Sequence, residues 1–325
     1  MGSSVSFPIT QIPRDRIFIV TGANTGIGYE LAKWCAMMGG TVILACRSED
    51  RARKAMETMQ EDFEKERAKG TTGLTENPTL ALEFMKLDLA SFESVVNFCD
   101  EFKKSGRKLH VLVCNAGLGF AAYKQSADGL EMMLQVNYLS HFLMIAKLLP
   151  IMRQSGPDCR IILTSSAYHH RGTFDVATMN YTGTANNFPD LNYYGRSKLY
   201  QVMQAYAMTT RLKGSNVTVN SLHPGFVDSE LFREADKGIF KCCLGCFRCC
   251  GIMVTTLKGA STSIDLATNP KRAGMSGHYW TDCKIKTSSS TSRDEQKQEA
   301  LWKATFPFIQ KYLTESEISG MEGDT

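Results

Sequence analysis

The sequence predicts an α/β fold, a single doubly wound parallel sheet with helices on both faces. Three observations predict it. Short apolar, β-branched runs recur along the chain, helical stretches separate them, and the first run passes straight into a glycine-rich turn. The runs are continuous rather than alternating, which suits strands buried on both sides. The strand reading starts at 16–20 (RIFIV), and a helix over 29–38 ends at Gly39-Gly40. A strand at 41–46 (TVILAC) precedes a charged helix over 48–69, and Gly, Thr, Asn and Pro mark a loop at 70–78. Then come a strand at 80–87, a helix at 92–104, a strand at 109–114, and one long helix or two within 129–152. A strand at 160–164, a helix at 194–212 and a strand at 217–222 complete the pattern. With no linker or repeat, 14–315 reads as one domain, and 1–13 and 316–325 as flexible termini.

Composition bounds the function classes. The chain has 325 residues, 43% of them hydrophobic and 22% charged, with a formal net charge of +4. This is a globular composition with no basic block, so nucleic acid is not an expected partner. The eleven cysteines show no disulfide framework, and 1–13 lacks the apolar core of a signal peptide. A reduced, intracellular protein is expected. The most apolar stretch, 142–152, is short for a membrane span and carries Lys147 and Pro150, so a buried helix is expected there.

The turn after the first strand reads Thr21-Gly22-Ala23-Asn24-Thr25-Gly26-Ile27-Gly28. Three glycines so placed allow a tight turn, close backbone approach to a pyrophosphate, and close helix–strand packing. The helix behind them turns its positive end toward the phosphates. Gly22, Thr25, Gly26, Ile27 and Gly28 are therefore candidate dinucleotide-binding residues, as in a Rossmann-type fold. The second strand ends in Ala45-Cys46-Arg47-Ser48, without the acid that would bond a ribose 2′-hydroxyl. Arg47 offers its guanidinium to a 2′-phosphate instead, which points to NADP(H). Glu49 and Asp50 fit the start of the next helix, where its dipole favours acids.

The order Thr21-Gly22-x3-Gly26-x-Gly28, then Asn115-Ala116-Gly117, then Tyr194-x3-Lys198 resembles the short-chain dehydrogenase/reductase superfamily. Finer pieces resemble its retinol-dehydrogenase branch and the dehydrogenase domain of the WW-domain oxidoreductase. These are TGANTGIG, LHVLVCNAG, QVNYLSHF, TSSAYHH, HPGFVDSEL and YWTDCK. Tyr194 and Lys198 share one face of a helix, and a nearby ammonium is expected to draw the phenol pKa down toward neutral. Tyr193 adjoins, but only Tyr194 has a lysine four positions on. The resemblance implies that Lys198 bonds the nicotinamide ribose and that Ser166 holds the substrate oxygen, with Ser165 as the alternative. It implies that Asn137 holds a water beside the lysine, that Asn115, Ala116 and Gly117 pass near the adenine ribose, and that Asp88 with Leu89 meets the adenine. Capping a helix is the competing role for Asp88. Pro224, Gly225 and Val227 are placed by the same resemblance at the nicotinamide. Ser166 and Tyr194 lie further apart in sequence than in many relatives, so 167–193 is read as an insertion covering the substrate site. His169 and His170 are read as lining or bracing that insertion, and no metal site is expected.

The expected function is NADP(H)-dependent interconversion of an apolar alcohol and its carbonyl compound, such as a retinoid, steroid or fatty aldehyde; a dinucleotide-sensing regulatory protein or a membrane adaptor on the same fold is the alternative. Two features suggest a membrane. Met1-Gly2-x3-Ser6 fits N-myristoylation of Gly2, and Cys242, Cys243, Cys246, Cys249 and Cys250 crowd the segment 228–256. Two lipid anchors would give stable attachment, whereas one alone binds marginally. A soft-metal site and a plain apolar loop are the rival readings of the cysteines. The expected location is the cytosolic face of a membrane, with homodimerisation an open alternative to a monomer.

Overall fold

A computed structural model describes residues 6–119, 122–227 and 253–323. Their strands and helices alternate as β1 (Ile17–Thr21), α1 (Gly26–Met37), β2 (Thr41–Cys46), α2 (Glu49–Ala68), β3 (Leu82–Lys86), α3 (Phe92–Lys104) and β4 (Val111–Cys114). Next come α4 (Met132–Arg153), β5 (Cys159–Thr164), α5 (Asp190–Arg211) and β6 (Val217–Leu222). The sheet order is β3-β2-β1-β4-β5-β6, extended by β7 (Tyr279–Thr281) and β8 (Lys284–Lys286). All pairs are parallel except β7 with β8. Apolar layers cover both faces. One packs Phe98, Phe142, Met203 and Leu301 from α3, α4, α5 and α7 (Glu295–Ile309). The other packs Leu31, Met59 and Ile264 from α1, α2 and α6 (Thr256–Thr268).

Local chemistry explains several helix starts. Ser48 caps α2 by accepting the Arg51 N–H, with Glu49 and Asp50 in the first turn, as the sequence suggested. Ser91 caps α3. Glu131 caps α4, its carboxylate accepting the N–H groups of Met133 at 2.8 Å and Leu134 at 2.7 Å. The stretch read as one helix or two is one helix, interrupted by a π-turn at Gln135–Leu139. By length and composition α4 could cross a membrane, but 94% of its most apolar window is buried within the protein.

Other boundaries differ from expectation. α5 begins at Asp190 rather than 194, after Pro189 and with an acid in its first turn. The described parts of both termini, 6–13 and 316–323, are more structured than expected. Phe7 packs edge-on against Trp34, and the Ile12 N–H donates to Met38 O at 2.7 Å. At the other end Glu315–Glu322 forms α8, started by a Thr314–Glu317 capping box and seated by buried Met321. Apolar anchors and a cap offset the polar composition that suggested fraying.

Candidate active site

The sheet order reverses between β1 and β4, and a crevice forms there at the carboxyl ends of the strands. The cleft has a volume of about 550 Å³. Residues at or just beyond the ends of β1 to β6 all contribute to its wall, so parallel strands bring together groups that are far apart in sequence.

At its centre lies the glycine turn. Gly22 and Gly26 adopt φ of +66° and +60°, conformations that disfavour any side chain. A Cβ on Gly28 would lie 2.6 Å from Asn115 Nδ2 and closer still to the Gly22 carbonyl. Gly28 thus lets α1 approach the sheet from behind, while Gly22, Thr25, Gly26 and Ile27 face the cleft. Thr21 ties this turn to the next. Its Oγ1 accepts the Asn115 and Ala116 N–H groups at 2.9 Å, and Asn115 Nδ2 donates to Thr21 O at 2.9 Å. The cradle fits a dinucleotide: the glycines clear the path for its phosphates and the N-terminus of α1 faces them.

On one side Arg47 projects into solvent at the cleft rim. Arg51, in the first turn of α2, lines the same wall and was not singled out in the sequence. Its signal was present, since the Ser48 cap starts a helix whose first turn carries Arg51 just beyond the end of β2. Asp88 and Leu89 also line the wall. Asp88 is not the cap of α3, which is Ser91; it accepts the Ala90 N–H at 3.0 Å in a local turn.

At the opposite end stand Ser166, Tyr194 and Lys198. The Ser166 hydroxyl hydrogen-bonds the Tyr194 phenol. Ser165 also lines the cleft, but its hydroxyl is committed to the Lys198 carbonyl at 2.7 Å, so the geometry favours Ser166 of the pair. Lys198 Nζ donates to Thr164 O at 2.8 Å and Gln201 Oε1 at 3.0 Å, and sits 5.9 Å from the Tyr194 ring centre. Asn137 lies in the π-turn, fully buried behind the wall. Its side chain accepts the Leu118 N–H at 2.7 Å, and its Nδ2 donates to Leu118 O and Ser197 Oγ at 2.9 Å each. Gly117 fits between them, since a Cβ there would lie 3.2 Å from Asn137 Oδ1 and 3.3 Å from Lys198 Nζ. Pro224, Gly225 and Val227 close this end. His223 also lines it, its Nδ1 accepting the Gly225 N–H at 3.3 Å.

Burial dominates the electrostatics here. It pushes the Tyr194 phenol up to about 12 against the pull of the Ser166 hydrogen bond, and brings Lys198 down to about 7. The lowering of Tyr194 expected from the lysine is not found: burial and Tyr168 raise it, and only the Ser166 hydrogen bond lowers it. A lysine that is itself half-neutral near pH 7 has less charge with which to favour a phenolate.

The segment between Ser166 and Tyr194 is not the expected cover. Only Ala167 and Tyr168 of 167–193 line the cleft. The rest packs beside α5: Arg196 donates to Thr178 O at 2.6 Å, and Tyr193 meets Tyr181 edge-on and Phe188 at a tilt. Gly172 presses against Gly195, where a Cβ would lie 2.6 Å from the Gly195 carbonyl carbon. His169 is a brace, as read: its Nδ1 meets Ser166 O at 2.7 Å and its Nε2 accepts the Ser289 N–H at 3.1 Å. Burial draws it down to about 4. Gly2 and the cysteines at 242, 243, 246, 249 and 250 lie outside the described residues.

A glycine cradle at the switch point, with a buried tyrosine–lysine pair at one end, defines an oxidoreductase of the dinucleotide-binding class. The short chain dehydrogenase family model matches residues 16–239. Mouse retinol dehydrogenase 14 is 34% identical over 284 residues, 87% of this chain and 83% of its own length. Human retinol dehydrogenase 11 is 35% identical over 93% of this chain and 88% of its own length. Chicken WW domain-containing oxidoreductase is 32% identical over 96% and 73%. The chain belongs to the short-chain dehydrogenase family. Among solved structures, an uncharacterised protein of Mycobacterium paratuberculosis matches with TM-score 0.72 at 22% identity, covering 95% of this chain and 98% of the other. The L-sorbose reductase of Gluconobacter frateurii, complexed with NADPH and L-sorbose, matches with TM-score 0.61 at 18% identity over 85% and 96%. The 3-ketoacyl-(acyl-carrier-protein) reductase of Brucella melitensis, complexed with NADH, matches with TM-score 0.59 at 20% identity over 81% and 95%.

Proposed function

We propose that this protein uses NADP(H) to interconvert an apolar alcohol and its aldehyde or ketone. The observation that carries the reading is the placement of Ser166, Tyr194 and Lys198 at one end of a single cleft and of Arg47 and Arg51 at the other. The bound nicotinamide supplies or accepts the hydride. Ser166 orients the substrate oxygen, and Tyr194 moves a proton at its phenolic oxygen. Lys198 and Asn137 carry that proton onward toward solvent. Two guanidinium groups beside a second strand that does not end in an acid favour the extra phosphate of NADP(H) over the ribose hydroxyl of NAD(H). The apolar substrate is inferred from the retinol dehydrogenases among the relatives and from Leu118, Met132, Val136 and Phe226 in the cleft wall.

The test is cofactor oxidation by the purified protein, with NADPH and NADH side by side, against a chain-length series of aldehydes and all-trans-retinal. Turnover with NADPH is expected to rise with chain length and to fall at least about a hundredfold in Tyr194→Phe. Equal rates along the series would sink the apolar substrate. Tight dinucleotide binding without turnover on any substrate would point to a sensor instead.

A further inference from the structure

One buried titratable group touches both halves of the site without entering the cleft. His141 lies on α4 with no exposed surface. Its Nε2 is 3.0 Å from Thr21 Oγ1, and its Nδ1 is 3.2 Å from the main-chain carbonyl of Asn137, one turn back.

Counting hydrogens fixes the tautomer. Thr21 Oγ1 already accepts two N–H groups, from Asn115 and Ala116. Both lone pairs are used, so its own hydrogen must be given away. The His141 Nε2 at 3.0 Å is nearer than the Val113 carbonyl at 3.4 Å. Nε2 is therefore the acceptor, and Nδ1 carries the hydrogen and donates it to Asn137 O. Burial draws the ring pKa down to about 4, with the nearby Lys198 adding to the lowering, so the ring is neutral. The Asn137 side chain is committed to Leu118 and Ser197, and its carbonyl belongs to the π-turn. The imidazole N–H, one turn on in the same helix, is a side-chain donor to that carbonyl and fixes its direction.

We propose that His141 is a positioning residue whose Nδ1–H form locks the Asn137 carbonyl to the Thr21–Gly22 turn, keeping the proton path in register with the dinucleotide cradle. This rests on the function proposed above. The tests separate the two. Nitrogen NMR of the imidazole in the wild-type protein is expected to show the Nδ1–H tautomer at neutral pH; an Nε2–H tautomer or an imidazolium overturns the proposal whatever the turnover. For kinetics, His141→Phe removes both contacts, and His141→Asn keeps an N–H donor near the Nδ1 position. The phenylalanine variant is expected to lose about tenfold in kcat, with the Kd for NADPH changed less than about twofold, because Thr21 can turn to Val113 O. The asparagine variant is expected to recover most of that loss. Equal kcat in the two variants, or a loss that merely follows a fall in Tm, overturns the assignment. Absence of wild-type turnover refutes the enzyme reading alone, and the tautomer still decides the placement of His141.

Discussion

Lys198 is held by two neutral oxygens in a site that burial makes hostile to its charge. Its pKa falls from 10.5 to about 7 in the folded protein. Between those values the unfolded chain binds more protons than the folded one, so this residue makes stability rise with pH. Lys198→Met removes that slope. The stability of the variant relative to wild type, measured by urea unfolding, is expected to decline steadily from about pH 6 to about pH 9. A flat difference would show that the lysine is not desolvated as described. Single residues were unequally legible in the sequence. Tyr194 could be told from Tyr193 because a helix repeat ties it to Lys198. Ser166 and Ser165 could not be told apart, since both end the same strand and only the helix behind them decides which is committed to backbone. The pull of Lys198 on Tyr194 was misjudged because spacing reports proximity but says nothing of desolvation.

At the scale of elements, α8 depends on contacts from three other segments. Glu317 hydrogen-bonds Lys103 and lies 3.6 Å from Lys147, while Trp302 Nε1 donates to Glu322 at 2.8 Å. Burial alone would raise the Glu317 carboxyl, but Lys103, the Thr314 N–H and Lys147 bring it below its ordinary value. Its contribution is therefore complete above the unfolded pKa near about 4.3 and disappears as pH falls through the lower folded value. Glu317→Gln is expected to cost about 1–2 kcal/mol at neutral pH and to flatten the acid limb of Tm against pH. An unchanged acid limb would place the acid sensitivity elsewhere. The sequence revealed β1, β2 and β4 as nearly continuous apolar runs, and β3, β5 and β6 as apolar runs with polar residues among them. It did not reveal β7 and β8, which are three residues each and exist through pairing with β6 and with each other. α6 was missed as well, because its Ser, Thr and Gly content hides a face that is buried only by tertiary packing.

The whole molecule enters through the cleft, whose wall draws on the ends of six strands. A ligand held there binds only when the central sheet is assembled, so it stabilises the fold as a unit. At about a hundred times its Kd, NADPH is expected to add about 2.7 kcal/mol. Thermal shifts with NADPH and NADH read the role of the arginine pair directly. Arg47→Ala with Arg51→Ala should weaken NADPH about tenfold or more and leave NADH within about twofold. Equal weakening of both cofactors would move the pair from recognising phosphate to shaping the cleft. Fold class and cleft were foreseeable because a parallel sheet fixes where strand ends converge; the path of 167–193 was not, since its placement depends on contacts with α5. The Gly172–Gly195 contact has an evolutionary reading. It pins both ends of a long excursion close to Ser166 and Tyr194, so the distance between those two groups is insulated from the length of chain between them. Closing a longer loop costs only about 0.6 kcal/mol per doubling. Descendants of this chain can therefore rebuild that excursion, or accept a grafted module there, while the chemistry beneath it keeps its geometry.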